Sequence, residues 1–282
     1  RAYDVTHSLH PLLMPSRKAA RVVTIHDLNF VTHPERTRGE IRRDYPKLAR
    51  THAHLADRIV VVSQFTAREV ETRFEIPPDR IAVCPPGAPQ WTARETAPPD
   101  GGYVLFFGTL EPRKNVSGLL DAYERLAVRR HDLPQLVLAG RATEQFKPCL
   151  ERLARSPLAG LVRHIGYVDP ENRRALYEGA RLLVQPSFEE GFGMPVLEAM
   201  TLGVPVVASD RGALPEVLGD AGPLVNPEDP DQMAGAIERM IDDHAHAAAA
   251  AARGVLRSRL FNWDRTAGLV YETYERAVEQ RQ

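Results

Sequence analysis

The chain of 282 residues is poor in several things at once, and each shortage removes a class of answer. Two cysteines, Cys84 and Cys149, cannot build a disulfide framework, which points to a reducing compartment. No apolar run approaches the ~18 residues that a membrane span needs. Charges and prolines interrupt Arg1 to Ala20, so that stretch lacks the order of a signal peptide. Net charge is also missing: 36 Lys+Arg stand against 37 Asp+Glu, giving −1. A phosphate-tracking surface usually shows as a basic excess, so nucleic acid is not an expected partner. Lysine is scarce, with four (Lys18, Lys47, Lys114, Lys147) beside 32 arginines, a skew that reads as coding bias. A starting methionine is lacking too, and the length is long for one domain and short for two full ones.

What is present is ordinary globular composition, 43% hydrophobic and 26% charged. From Gly101 onward short apolar runs alternate with helical stretches. Strands are expected at 103–107, 135–139, 162–165, 182–185, 205–208 and 223–225, with helices at 117–130, 145–155, 171–179, 195–202 and 213–218. Alternating βαβα with nearly continuous apolar strands implies an α/β fold on a doubly wound parallel sheet. Ligands of such sheets bind outside the carboxyl ends of the strands. The first ninety residues read the same way with fewer units: strands at 22–25, 59–62 and 81–84, and a helix over 39–55 that Pro46 must kink or break. Pro85-Pro86-Gly87-Ala88-Pro89 and Pro98-Pro99-Asp100-Gly101-Gly102 bracket a linker. The tail carries two more helices, over 244–260 and 265–280, the first with the alanine run 247–252.

One constellation carries chemistry. After the fourth strand of the second half the chain reads Pro186-Ser187-Phe188-Glu189-Glu190-Gly191-Phe192-Gly193-Met194-Pro195-Val196-Leu197-Glu198-Ala199-Met200. This is a strand, a glycine loop, and a helix with Pro195 at its first position. Gly191 and Gly193 let the backbone approach a ligand, and the helix start offers N–H groups and a positive dipole end suited to a diphosphate. Helical side chains lean toward the N-terminus, so Glu198, read as lying in the first turn, reaches the same pocket as Glu190. Carboxylates beside a phosphate site make sense as acceptors for sugar hydroxyls. The bland alternative leaves Glu198 complementing the helix dipole and Glu190 as a solvated loop residue. Glu189 falls outside the register and reads as a solvated neighbour.

The motif Glu190-x7-Glu198, followed by Gly203-Val204-Pro205-Val206-Val207-Ala208, strongly resembles the retaining, GT-B-fold glycosyltransferases that use nucleotide-sugar donors (glycosyl transferases group 1). Gly108-Thr109-Leu110-Glu111-Pro112-Arg113-Lys114-Asn115, Gly166-Tyr167-Val168, Gly212-Ala213-Leu214-Pro215-Glu216 and Phe261-Asn262-Trp263 stand in that family's order, so the resemblance spans essentially the whole chain. It implies two Rossmann-like parallel-sheet lobes, the first incomplete. Residues 1–93 would be a partial acceptor-side lobe, 94–263 the nucleotide-sugar lobe, and 264–282 a helix crossing back to the first. Arg1 then reads as an internal residue of a longer protein, with two or three leading βα units absent.

The resemblance implies that Glu198 holds the nucleotide ribose and Glu190 contacts the donor hexose. Backbone N–H groups of Phe192, Gly193 and Met194, beside Gly191, would meet sugar or phosphate. In the first loop, opened by Gly108, Lys114 matches the family's phosphate lysine. Many members carry an arginine directly after the glycine, where this chain has Thr109, so Arg113 is read as the second cation. His26, in Thr24-Ile25-His26-Asp27-Leu28, would face the donor sugar, and Asp27 would cap its loop. The base would lie against Gly140-Arg141 and Tyr167-Val168.

The resemblance implies a hexosyltransferase of polysaccharide biosynthesis, moving mannose from GDP-mannose as donor. The acceptor would be a glycan or lipid-linked hydroxyl. No cofactor and no metal is expected: His52-x-His54 and His244-x-His246 are i, i+2 pairs that do not share a helix face. The location implied is cytoplasmic. Arg36, Arg38, Arg42, Arg43, Lys47 and Arg50 form either a solvated helix face or a patch for an anionic acceptor or for peripheral contact with the inner face of the membrane. A sugar-nucleotide epimerase of the same fold and a non-catalytic nucleotide-sugar-binding module are the alternatives. Sequence leaves open whether Glu190 is a nucleophile or an orienting group.

Overall fold

The computed structural model describes residues 3–36, 39–96 and 101–281. Arg38 of the basic stretch and Pro98, Pro99 and Asp100 of the second proline-rich segment lie outside the described residues, as does the side chain of Arg36. The chain forms two compact units. One comprises Arg1–Gly87, Glu190–Phe192 and Phe261–Gln282, the other Ala88–Glu189 and Gly193–Leu260.

The first unit runs β1 (Val5–Ser8), β2 (Ala20–Ile25), α1 (Asn29–Thr32), α2 (Gly39–Leu55), β3 (Arg58–Val61), α3 (Gln64–Phe74) and β4 (Ile81–Val83). Its sheet is parallel in the order β1-β2-β3-β4. The sequence reading missed β1. Its residues Val-Thr-His-Ser hold no apolar run, and the strand exists because Val5 to Ser8 pair with Ala20 to Val23. It also missed α3, whose buried Thr66, Val70 and Phe74 recur every fourth residue and whose start is capped by Ser63 Oγ, 3.0 Å from Thr66 N. Pro46 does not break α2, which runs unbroken from Gly39 to Leu55.

The second unit runs β5 (Tyr103–Phe107), α4 (Val116–Arg129), β6 (Leu136–Ala139), α5 (Lys147–Arg152), β7 (Val162–Gly166), α6 (Pro170–Glu178), β8 (Ala180–Gln185), α7 (Met194–Leu202), β9 (Val206–Ser209), α8 (Leu214–Leu218), β10 (Leu224–Val225), α9 (Pro230–Asp242) and α10 (His244–Ser258). A last helix, α11 (Trp263–Glu279), belongs to the first unit. There it lays Ala277 among Ala20, Val22, Val60 and Cys84 of that unit's sheet. All six strands expected in the second unit form, within one or two residues of their expected ends. Helix α9 was not expected, although Met233, Ala234, Ile237, Met240 and Ile241 mark its buried face at helical spacing.

Both units are thus parallel α/β, the class the sequence implied. The second sheet has the order β10-β9-β8-β5-β6-β7. The chain leaves β5 toward β7, then returns to β8 on the other side of β5. Sheets of this kind take ligands at such a reversal, which here falls at the carboxyl ends of β5 and β8. Strands β6 and β9 are buried along their whole length and β8 in all but one residue, so each is apolar on both faces and stays where it is put.

Candidate functional site

The loops after β5 and β8 are tied to each other at the reversal point. Phe188 N donates to Arg113 O at 2.9 Å, and the Arg113 guanidinium returns a bond to Glu189 O at 2.8 Å. Arg113 is also clasped by Glu111, with Nη2 at 2.9 Å and Nε at 3.2 Å from Oε1. The guanidinium expected to serve as a second phosphate cation therefore also ties the two loops together and shares its charge with Glu111.

Lys114 is buried, 9% exposed. Asn115 behind it takes the left-handed conformation, φ 53°, which asparagine tolerates better than most side chains. Its Oδ1 caps α4 through Gly118 N at 3.3 Å, and its Nδ2 donates to Pro227 O at 2.7 Å. Sequence reasoning passed over Asn115, although an asparagine just before an apolar helical run is a start signal. Gly108 and Gly140, at the carboxyl ends of β5 and β6, approach each other closely. A Cβ on Gly140 would stand 1.9 Å from Gly108 O, so no other residue fits.

Helix α7 starts at Met194, with Pro195 second, not first as expected. Glu198 is then its fifth residue, past the first turn, and its role is not to complement the dipole. It lies 4% exposed. Its Oε1 accepts from Arg173 Nη1 of α6 at 2.9 Å, while the buried Oε2 receives no aligned hydrogen bond among the described residues. Burial pushes the Glu198 carboxyl above the usual carboxylate range, and the Tyr177 hydroxyl and the Arg173 guanidinium oppose that shift. Tyr177 is wholly buried beside it, without an aligned hydrogen bond from its hydroxyl, and burial next to Glu198 holds its phenol well above the ordinary value. Arg173 and Tyr177 were missed by the sequence reading. The available signal was their i, i+4 spacing, which puts both on one helix face.

Glu189 and Glu190 are both 6% exposed. This corrects the reading of Glu189 as a solvated neighbour. Within the first unit, the stretch Glu190–Phe192 meets the loop after β2. A Cβ on Gly191 would stand 1.9 Å from His26 O, so glycine is required there by contact. The buried Thr66 hydroxyl sits 3.3 Å from both Gly191 O and His26 O, and accepts from Ser63 Oγ at 3.0 Å. Its one proton serves one carbonyl at a time. Phe192 packs edge-on against Phe261, centroids 5.6 Å apart. The His26 ring is exposed, with Nε2 3.1 Å from Leu9 O, and Asp27 Oδ1 caps its loop at Asn29 N, 3.1 Å away, as expected. His26 and the Glu190 stretch are thus brought together in one unit.

In the second unit, Tyr167 is exposed and stacks under Arg141, whose guanidinium carbon lies 4.8 Å from the ring centroid. Tyr167 and Val168 line a cavity of about 350 Å³ with Ile165, Asp169, Asn172 and Leu176. A larger cavity, about 540 Å³, lies at the opposite, amino ends of β5, β8 and β9, lined by none of the expected site residues.

A family profile described as glycosyl transferases group 1 matches residues 88–255, and one described as glycosyltransferase family 4 matches residues 1–89. The chain is 36% identical over 262 residues to the O-antigen chain mannosyltransferase B of Escherichia coli, covering 89% of this chain and 69% of that protein. It is 30% identical over 279 residues to the serotype-specific mannosyltransferase WbdA of Escherichia coli, covering 93% of this chain and 34% of that much longer protein. Among solved structures, sucrose-phosphate synthase from Thermosynechococcus elongatus superposes with a TM-score of 0.77 at 26% identity, over 92% of this chain and 68% of that one. The expected GT-B class stands.

Proposed function

The chain belongs to the glycosyl transferases group 1 family, and from that premise we propose a retaining mannosyltransferase that takes its sugar from GDP-mannose. The acceptor is a hydroxyl of a glycan or a lipid-linked glycan, reached at the inner face of the membrane. The observation that carries the reading is the pair of loops at the β5/β8 reversal. The two loops are bonded to each other through Arg113, the first holds the buried Lys114, and helix α7 after the second carries the buried Glu198 carboxylate, whose Oε2 has no aligned donor among the described residues. The similarity to two mannosyltransferases supports the choice of sugar.

In this reading Glu198 accepts from the ribose hydroxyls, and Tyr167, Val168 and Gly140 border the base. Lys114, with Arg113, faces the diphosphate. Breaking the glycosidic bond builds negative charge on the leaving diphosphate, and a cation fixed beforehand in a dry site stabilises that charge more than water can. The N–H groups of Phe192, Gly193 and Met194 add donors at the start of α7. Glu190 and His26 orient the hexose as it flattens toward an oxocarbenium ion. Glu190 acts either as an orienting group or as a nucleophile, and trapping of a glycosyl-enzyme intermediate separates the two.

Calorimetric titration with GDP-mannose tests the site. Hydrogen bonds to charged groups are worth about 1.5–3 kcal/mol, so Lys114→Ala and Glu198→Ala should each weaken binding by roughly ten- to a hundredfold. Unchanged affinity in both would refute the site. A thermal-shift panel of GDP-, UDP- and ADP-sugars reads the nucleotide, because the bound donor stabilises the fold by mass action. Inversion at the product's anomeric carbon, seen by NMR, would end the claim of retention.

A further inference from the structure

Glu198 is not held by its own helix. Its carboxylate is gripped from α6 by Arg173, whose Nη1 lies 2.9 Å from Oε1. The Arg173 guanidinium in turn lies over the Phe107 ring at the end of β5, 5.1 Å from its centroid, so it is braced from below as well as paired in front. Tyr177, one turn on from Arg173, packs its ring against Phe107 at 5.5 Å and against Trp91 at 6.1 Å. Glu198 Oε2, Arg173 Nε and the Tyr177 hydroxyl are all buried without an aligned hydrogen bond among the described residues, the Tyr177 hydroxyl lying close enough to the Glu198 carboxyl to act on it. A native interior rarely leaves such atoms together unless something polar binds beside them.

The grip has two consequences. It fixes Oε1 on Arg173 and leaves Oε2, buried beside the Tyr177 hydroxyl, as the carboxylate oxygen without an aligned donor. It also sets a cation against a carboxylate that burial would otherwise drive toward the neutral form. Among the described residues the ionisable groups that act on Glu198 are Arg173 and Tyr177, both from α6. A protonated carboxyl would offer a donor on one oxygen where two vicinal hydroxyls need an acceptor.

We propose that Arg173 is a positioning residue that holds the Glu198 carboxylate by Oε1 and keeps Oε2 for the vicinal hydroxyls of the donor's ribose, and thereby sets the discrimination between ribose and deoxyribose nucleotides. This rests on the reading of Glu198 as the ribose acceptor. Arg173 itself touches no donor atom, and its effect passes through Glu198.

The test is calorimetric titration of GDP and of 2′,3′-dideoxy-GDP, at pH 7.5 and at pH 5.5, into the full chain and its variants. The wild-type chain should prefer GDP by about ten- to a hundredfold, the loss expected when a charged acceptor keeps no donor. In Arg173→Met, which keeps the bulk over Phe107, the preference should fall below about threefold, and GDP affinity should drop further between pH 7.5 and 5.5 than in wild type. Arg173→Lys keeps a cation but not the fork, and should show an intermediate preference. It carries the same test if Arg173→Met does not fold. Packing damage alone would weaken both nucleotides equally and leave their ratio intact. A wild-type chain indifferent to the ribose hydroxyls would overturn the role of Glu198. A wild-type preference that survives unchanged in both variants would overturn the role of Arg173 and leave that of Glu198 standing.

Discussion

Replacing Gly140 with alanine asks whether this glycine is required for shape. The added Cβ would stand 1.9 Å from Gly108 O and 2.6 Å from Gly108 C, at a backbone φ of +141°. Ordinary carbon contacts sit at about 3.5–4.0 Å, so one of the two backbones must retreat by about 1.5 Å. Neither is free to do so. Gly140 N donates to Gly166 O at 2.7 Å and Gly108 N to Ala139 O at 2.9 Å, so retreat opens a sheet-end hydrogen bond. A non-glycine residue in this region is strained by about 1–3 kcal/mol, and leaving a buried donor unmade adds about 1–3 kcal/mol. The total is about 2–6 kcal/mol, and at about 2–4 °C per kcal/mol the melting temperature should fall on the order of 5–20 °C. Gly235 is the control. It lies inside α9 with nothing within 4 Å of an added Cβ, so Gly235→Ala should gain about 0.5–1 kcal/mol from helix propensity alone. Differential scanning calorimetry of the two variants checks both signs. A Gly140→Ala chain that melts within about 1 °C of wild type would refute this account of the β5–β6 loop contact.

Asn115→Ala removes the cap on α4, the donor to Pro227 O and a residue suited to φ 53°. It should lose about 2–5 kcal/mol in urea unfolding. Asn115→Gly relieves only the backbone term and should sit about 1 kcal/mol above it, and equal stability of the two would remove the left-handed strain from the explanation. Glu198→Gln separates stability from binding. Burial raises this carboxyl above its unfolded value, so the folded chain binds its proton more tightly than the unfolded chain does. Its penalty on the fold is absent below the unfolded pKa and grows as pH rises through the folded one. The glutamine variant should therefore melt no lower than wild type at about pH 8, lose any advantage toward about pH 4, and bind GDP-mannose more weakly at pH 8. A variant that is markedly less stable at pH 8 would show that the pair with Arg173 outweighs the cost of burial.

Much of the fold was legible because its signal is local. Apolar runs marked all six strands of the second unit, and the first unit's three apolar strands were read as well. β1 was not, because Val5–Ser8 becomes a strand only by pairing with β2. The residues of the long glutamate motif were legible from chain order, since a strand, a glycine loop and a helix start follow one another there. Arg173 was not legible as part of the site. It stands 25 positions before Glu198 on a different helix, and nothing local says that α6 and α7 bring them together.

The sequence by itself determined the class of each unit, the loops that border the candidate site, and the family. Those follow from periodicity, from glycine and proline placement, and from one long motif. Only the tertiary structure decided the state of the side chains in that motif. It buried Lys114, Glu189 and Glu190, divided Arg113 between Glu111 and the β8 loop, and set Arg173 against Glu198. Burial and charge pairing depend on which distant segments meet, and that is settled by how the helices pack across the sheet, whatever the spacing of residues along the chain.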